Sequence, residues 1–114
     1  MQFLLLIYDQ EKRWTKLSET QQSAETQEFG AFGEECAQAI RGGNALQPTP
    51  TAKTVRVRDG KLLVTDGPFA ETKEQLGGYY LVEANNADEA ISIAAKVPWA
   101  RYGSIEVRPI MTFS

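Results

Sequence analysis

A chain of 114 residues with 42% hydrophobic residues is long enough for one domain with one hydrophobic core. Its formal net charge of -3 argues against direct nucleic-acid binding, which needs a basic surface. The chain has no histidine and one cysteine, Cys36, which excludes histidine general bases, intrachain disulfides and cysteine-built zinc sites. The acidic residues lack calcium-loop spacing and no phosphate loop is present, so the sequence predicts neither a metal nor a cofactor.

The chain begins with a continuous apolar run, "FLLLIY", at Phe3–Tyr8. A run of this length predicts a strand that is covered on both faces. It is too short to span a membrane and lacks the basic lead-in of a signal peptide. The sequence therefore predicts a cytoplasmic protein that does not enter a membrane.

The first long helix is predicted to begin at Ser18, because Gln21 stands three residues later and completes a capping box. Its apolar face contains residues at spacings of three and four: Phe29, Phe32, Cys36 and Ile40. Cys36 is interpreted as a core residue rather than a nucleophile. The glycine pair at 42–43 is predicted to end the helix.

A hairpin is predicted next, because "TVRVRDGKLLVT" at 54–65 has alternating apolar residues around a central Asp-Gly turn. Val55 and Val57 share one face, which Leu62 and Val64 continue, and this face is predicted to point inward. The basic residues are interpreted as a solvated face rather than a phosphate-binding patch: Lys53, Arg56, Arg58 and Lys61.

The stretch "TDGPFAETKEQLGG" at 65–78 predicts an ordered loop. Its Asp-Gly-Pro sequence is typical of a tight turn. Thr72 and Gln75 are positioned to cap one helical turn, which the glycine pair at 77–78 would stop. A loop of this length in a small domain is usually functional.

The remainder contains an apolar strand at 79–84, a helix capped by Asn86 and ending near Pro98, and a last strand, "SIEVRPI". The order strand-helix-strand-strand-loop-strand-helix-strand predicts an α+β protein with a ferredoxin-like antiparallel sheet and helices on one face. Two helices cannot cover strands that are apolar on both faces. A homodimer with sheets packed face to face is therefore predicted.

Asp66 is the leading candidate for chemistry, either as a general base or as an acceptor of hydrogen bonds from a ligand. The alternative is that its carboxylate caps the turn that follows. Phe69 is expected to insert into the core or the dimer seam, or to stack on a ligand. Four further residues are candidates for ligand contact, with a strand aromatic or solvated surface as the alternative: Tyr8, Pro68, Glu71 and Lys73.

Three stretches together, "FLLLIY", "TVRVRDGKLLVTDGPFAETKEQLGGYYLVEA" and "SIEVRPI", resemble the DGPF-domain branch of the YCII-related family over nearly the whole chain. The resemblance implies a dimeric α+β barrel and an association with extracytoplasmic-function sigma factors, beside which such proteins are often encoded. It implies no settled activity. The wider family often pairs a first-helix histidine with an aspartate; this chain has no histidine, and Asp66 alone matches the acidic half.

Two functions follow as alternatives. The first is a regulatory or interaction module that acts with an extracytoplasmic-function sigma factor, which requires no catalytic base. The second is a small enzyme or small-molecule binder in which Asp66 assists proton transfer while Phe69 and Tyr8 shape the pocket.

Overall fold

The computed structural model describes residues 1–113, which form six strands and three α-helices. The elements are β1 (Gln2–Asp9), α1 (Glu11–Lys16), α2 (Glu19–Glu35), β2 (Ile40–Ala45), β3 (Lys53–Arg58), β4 (Lys61–Asp66), β5 (Gln75–Glu83), α3 (Ala87–Ala94) and β6 (Ser104–Pro109). Short 3-10 turns occupy Thr49–Thr51 and Pro98–Arg101. No helix among the described residues has the length and apolar character to cross a membrane.

Four strands form one antiparallel sheet in the order β2-β5-β1-β6. This is the strand order of a ferredoxin-like fold, with β3 and β4 inserted between its second and third strands as a separate two-stranded hairpin. The predicted α+β class with an antiparallel sheet is confirmed.

The core lies between the helices and one face of the sheet. Alternate residues of β1, Phe3, Leu5 and Ile7, are buried there with Phe32 of α2 and the alanine-rich face of α3. We call the opposite side of the sheet the outer face; its half-buried residues on the two central strands are Leu4, Leu6, Tyr8, Tyr79 and Leu81. One layer of helices on one face leaves this outer face uncovered within residues 1–113.

Helix α2 begins as predicted and ends earlier than predicted. The Ser18 hydroxyl accepts from the Gln21 backbone N–H over 3.2 Å, and the Gln21 side chain accepts from the Ser18 N–H over 2.9 Å. The helix ends at Glu35, and the predicted helical segment around Ile40 instead begins β2. A Cβ on Gly43 would lie 2.7 Å from the Tyr79 carbonyl oxygen, so glycine permits β2 to lie beside β5.

Cys36 is confirmed as a core residue. It lies just after the last residue of α2, only 7% exposed, among the residues that pack against the sheet. Burial raises the pKa of its thiol, which keeps the sulfur protonated and unreactive.

The predicted hairpin turn is confirmed, with Asp59 and Gly60 both at positive φ. The prediction that its apolar face points into the core is wrong. Val55, Val57, Leu62 and Val64 are 60%, 61%, 67% and 53% exposed, because β3 and β4 pair only with each other in the described chain. The alternation of apolar residues predicts which side chains share a face of the hairpin, but it does not predict whether another element packs against that face.

The helical turn predicted in the loop does not form. β5 begins at Gln75 and continues through the glycines at 77 and 78, so the strand is longer than predicted. The loop itself is ordered by local hydrogen bonds: Thr54 Oγ1 donates to the Gly67 carbonyl over 2.8 Å, and Gln75 Nε2 donates to the Thr72 carbonyl over 2.6 Å.

Candidate ligand-binding site

The predicted site residues lie apart from the concave surface of this chain. Asp66 ends β4 with its side chain 82% exposed, and its carboxylate pairs with Lys53 instead of capping the following turn. Phe69 is 79% exposed at the loop tip. Its loop neighbours are also exposed: Pro68, Glu71 and Lys73. The role proposed for Asp66 therefore stays a prediction.

Tyr8 lies on the outer face of the sheet, where it is half-buried. None of the six predicted site residues, Tyr8, Asp66, Pro68, Phe69, Glu71 and Lys73, lines the large cavity described below. Of the stretch at 65–78, Gln75, Gly77 and Gly78 line the cavity, whereas residues 65–74 do not.

A cavity of about 670 Å³ lies on the helix-covered side of the sheet, at the edge formed by β2 and β5. Small-molecule sites in proteins typically measure about 300–1,000 Å³. The cavity is bounded by α1, α2, the connector after β2 and the turn at Pro98–Arg101. Its lining is mostly apolar, with a few carboxylate, amide and hydroxyl groups among the aromatic rings.

Three aromatic side chains form one wall of the cavity: Trp14 of α1, Phe29 of α2 and Trp99 of the second 3-10 turn. The Trp99 ring centroid is 5.7 Å from that of Trp14 and 5.5 Å from that of Phe29, with tilted and edge-to-face geometry. These are favourable arrangements for aromatic pairs. Gly77 also lines the cavity, and a Cβ there would lie 3.1 Å from the Trp99 ring, so glycine leaves room for this wall.

A buried charged cluster holds the aromatic wall in place. Arg13 donates from Nε to Asp9 over 2.6 Å, and from both terminal nitrogens to Glu25 over 2.9 Å each. Trp99 Nε1 donates to Glu25 over 2.8 Å. Because each carboxylate is nearly fully buried and Arg13 is mostly so, the two-point contact is strong and directional.

The electrostatics of this cluster follow from its hydrogen bonds. The Arg13 hydrogen bond holds the pKa of Glu25 below its ordinary value, and the Trp99 N–H acts in the same direction against the effect of burial. The pKa of Arg13 is raised, chiefly by the hydrogen bond to Glu25. Within residues 1–113 no fully buried side-chain polar atom lacks a partner, so the cluster is satisfied. We assign it a positioning role for Trp99.

The connector at the mouth of the cavity is anchored by Glu11. Its carboxylate accepts from the Thr49 N–H over 2.7 Å and from the Thr49 hydroxyl over 2.9 Å. The Glu11 N–H itself donates to the Gln75 side chain over 2.9 Å. These contacts position Pro48 and Pro50, which line the cavity, next to α1.

Tyr80 presents a hydroxyl-bearing ring to the cavity, and its ring meets Phe32 edge-to-face with centroids 5.1 Å apart. Burial raises the pKa of Tyr80, with no hydrogen bond contributing to the shift. The hydroxyl therefore stays protonated at neutral pH and can donate a hydrogen bond to an oxygen atom of a ligand.

Sequence reasoning missed this cavity. Trp14, Trp99 and Tyr80 belong to separate elements, and the spacing of Phe29 indicates only that it lies on the apolar stripe of a helix. One feature of the sequence points to a pocket. The chain has two tryptophans, and large aromatic side chains are frequent in the lining of ligand pockets. Among residues 1–113, no group of three or more His, Cys, Asp or Glu side chains is arranged to hold a metal ion.

A family model described as the YCII-related domain matches residues 1–114. The chain belongs to the YCII-related family. An uncharacterized protein of Rhizobium meliloti (strain 1021) is 35% identical over 117 residues, which cover 99% of this chain and 94% of that protein. The resemblance to the YCII-related family inferred from the sequence is confirmed.

One solved structure has a similar fold. The 5-chloro-2-hydroxyhydroquinone dehydrochlorinase from Burkholderia phenoliruptrix AC1100, in complex with 2,5-dihydroxybenzoquinone, superposes with a TM-score of 0.60 at 16% identity. The match covers 97% of this chain and 94% of that one. At this identity the likeness shows a shared fold.

Proposed function

We propose that this YCII-related protein binds a small, planar, oxygen-bearing aromatic molecule in the cavity behind β2 and β5. The observation that carries the proposal is the aromatic wall of Trp14, Phe29 and Trp99 around a space of about 670 Å³. Flat aromatic side chains favour a flat ligand, because stacked and edge-to-face ring contacts are attractive beyond the area they bury.

The polar groups of the cavity favour a ligand with hydroxyl or carbonyl oxygens. Tyr80 offers a protonated hydroxyl, while the carboxylates of Asp9 and Glu11 already accept hydrogen bonds from the protein. A donor in a largely apolar pocket selects for an oxygen acceptor in the ligand, since an unpaired buried hydroxyl is unfavourable.

The structural relative supports this ligand class. Its complex holds 2,5-dihydroxybenzoquinone, a planar ring with oxygen substituents. A shared fold does not carry an activity from one protein to the other, so the support lies in the matching ligand shape and not in the reaction.

The test is a titration of the protein with 2,5-dihydroxybenzoquinone by isothermal calorimetry and tryptophan fluorescence. Both tryptophans of the chain line the cavity, so binding should quench their emission. Tyr80→Phe should raise Kd by about threefold to tenfold, the effect of one lost hydrogen bond. Tyr8→Phe, which removes a hydroxyl on the other side of the sheet, should leave Kd unchanged. Absence of saturable binding in the wild type at millimolar ligand would count against the proposal, as would equal losses in the two variants.

We further propose that the protein is a homodimer in which the outer faces of two sheets pack together. Leu4, Leu6 and Leu81 are only half-buried on that face, and burying a leucine fully contributes roughly 1.5–3 kcal/mol. Light scattering should give twice the mass of one chain, and Leu6→Lys should lower the measured mass. A wild-type mass of one chain at micromolar concentration would rule the dimer out.

Association with an extracytoplasmic-function sigma factor, which the family resemblance implies, stays a prediction. Its test is a pull-down with the sigma factor encoded nearest to this protein. Lack of binding with purified components would leave the ligand-binding proposal intact, because that proposal rests on the cavity alone.

A further inference from the structure

We propose that the ligand of the cavity has two fused rings with its oxygen atoms on one ring only, and that Gly77 is the residue that admits the second ring. Both statements rest on the proposed function, because they concern the length and polarity of a ligand in the same cavity.

Two groups that would contact the ligand lie at different positions along β5. Trp99 lies over Gly77, since a Cβ on that glycine would be 3.1 Å from the indole ring. Tyr80, which offers its hydroxyl to the cavity, is three residues further along the strand. The rise of a strand separates the two positions by roughly 8–10 Å. A single six-membered ring is shorter than this separation, whereas two fused rings with an oxygen substituent can contact both groups.

The aromatic wall can contact more than one ring of a ligand. Trp99 lies beside both Trp14 and Phe29, with ring centroids 5.7 Å and 5.5 Å away. A ligand ring next to Trp99 therefore has a second aromatic neighbour within reach, and aromatic rings attract one another at separations of this order. The cavity volume of about 670 Å³ also lies in the middle of the range for sites that enclose most of a drug-sized ligand.

The hydroxyl groups that the two helices contribute to the lining are already engaged as donors. The Thr15 hydroxyl donates to the Lys12 carbonyl over 3.2 Å, and the Thr26 hydroxyl donates to the Gln22 carbonyl over 2.9 Å. The side chains of Gln10 and Lys12 are exposed at the rim. Oxygen atoms of the ligand are therefore favoured near Tyr80, and an unsubstituted ring is favoured against the wall.

Gly77 provides the space at the wall because it is an extra residue in β5. The pairing of β5 with β1 passes from Gly78 to Leu76 between two successive residues of β1, so Gly77 forms a β-bulge. Trp99 is tethered to Glu25 by its indole N–H over 2.8 Å. A methyl group at position 77 would therefore push the indole into the cavity or displace β5, and either change would shorten the space for a second ring.

Two neutral ligands, each with ten carbon atoms and one hydroxyl group, test the number of rings. Naphthalen-2-ol has two fused rings, and 4-tert-butylphenol has one ring with a bulky substituent. By isothermal calorimetry, Kd for naphthalen-2-ol should be at least tenfold lower. Naphthalene-2,6-diol, with oxygen on both rings, should bind at least threefold more weakly than naphthalen-2-ol.

The outcomes separate this proposal from the proposed function. Saturable binding of 2,5-dihydroxybenzoquinone together with equal Kd values for naphthalen-2-ol and 4-tert-butylphenol would overturn the two-ring ligand and leave the proposed function standing. Tighter binding of naphthalene-2,6-diol than of naphthalen-2-ol would overturn the placement of oxygen on one ring. No binding of any of these ligands would overturn both proposals.

The role of Gly77 is tested by Gly77→Ala, with circular dichroism to confirm folding. Kd should rise at least tenfold for naphthalen-2-ol and less than threefold for 2,5-dihydroxybenzoquinone, because a single ring does not need the space at the wall. Gly42→Ala is the matched control, since Gly42 does not line the cavity and a Cβ there would meet no atom within 4 Å. It should leave both values unchanged.

A second background tests whether Gly77 acts through Trp99. Phenylalanine is smaller than tryptophan and leaves room for a methyl group at position 77. In the Trp99→Phe background, Gly77→Ala should therefore change Kd for naphthalen-2-ol by less than threefold. A further tenfold loss in that background, or equal losses for the two ligands in Gly77→Ala alone, would overturn the role assigned to Gly77.

Discussion

The indole N–H of Trp99 donates a hydrogen bond to the carboxylate of Glu25 over 2.8 Å, and this contact joins the aromatic wall of the cavity to a buried ion pair. Glu25 in turn accepts two hydrogen bonds from Arg13. The position of a ligand-facing ring is therefore set by a buried ion pair, and the Arg13 guanidinium also lies over the Trp99 ring, 5.4 Å from its centroid. Substitutions in this charged cluster should therefore have a larger effect on the stability of the protein than on its affinity for a ligand.

Replacing Glu25 with glutamine should lower the free energy of unfolding by about 1.5–3 kcal/mol, because Arg13 loses a charged partner to which it makes two hydrogen bonds. Urea unfolding measures the change. Glu28→Gln provides the control, since Glu28 pairs with Arg101 and both side chains are more than 40% exposed; it should cost no more than about 0.5 kcal/mol. Equal losses in the two variants would contradict the role assigned to the buried cluster.

The stability of the protein should depend on Glu25 at acid pH. The folded state holds the pKa of Glu25 below its ordinary value of 4.5, so the unfolded state takes up the proton first. The stabilisation is fully present above pH 4.5 and is lost as the pH falls through the lower folded-state pKa. Urea midpoints measured between neutral pH and pH 3 should fall less steeply below pH 4.5 in Glu25→Gln than in the wild type; identical slopes would refute the linkage.

Two adjacent glycines of β2 should respond differently to alanine. A Cβ on Gly43 would lie 2.7 Å from a Tyr79 backbone oxygen, which must shift to make room, whereas a Cβ on Gly42 would meet no atom within 4 Å. Gly43→Ala should therefore destabilise the protein by about 1–3 kcal/mol, the usual cost of overpacking. Gly42→Ala should fall within about 0.5 kcal/mol of the wild type. Thermal unfolding separates the two, and a reversed order would mean that β2 does not pair with β5 as described.

The contact between Glu11 and Thr49 should contribute to ligand affinity through the connector. Glu11→Gln and Thr49→Val each weaken the anchor over the cavity mouth, so each should raise Kd for 2,5-dihydroxybenzoquinone. Both changes break the same contact. The loss of binding free energy in the double variant should therefore be smaller than the sum of the two single losses, by about 0.5–1.5 kcal/mol. Strict additivity, measured by calorimetry, would show that the two residues act independently.

The sequence was sufficient for elements whose causes are local. Phe3–Tyr8 forms a strand because a short apolar run followed by polar residues suits a strand, and its alternate residues Phe3, Leu5 and Ile7 are buried. Ser18 and Gln21 begin a helix because they satisfy its free N–H groups. The Asp59-Gly60 pair makes a tight turn because both residues tolerate positive φ. The strand-and-helix order and the family motif were also enough for the ferredoxin-like fold.

Tertiary structure decided what local patterns leave open. Ile40 continued the helical spacing of α2, yet it starts a strand because β5 offers hydrogen bonds along an edge that the glycine at 43 can approach. Val57 alternates like a core residue, yet it is exposed because no other element of the described chain reaches it. The cavity joins Trp14 and Trp99, which are distant in the chain and close in space. Residues that are distant in the chain form a site only when the sheet and its helices bring them together. The periodicity of side chains indicates the direction in which a residue points, but it does not indicate which residues it contacts.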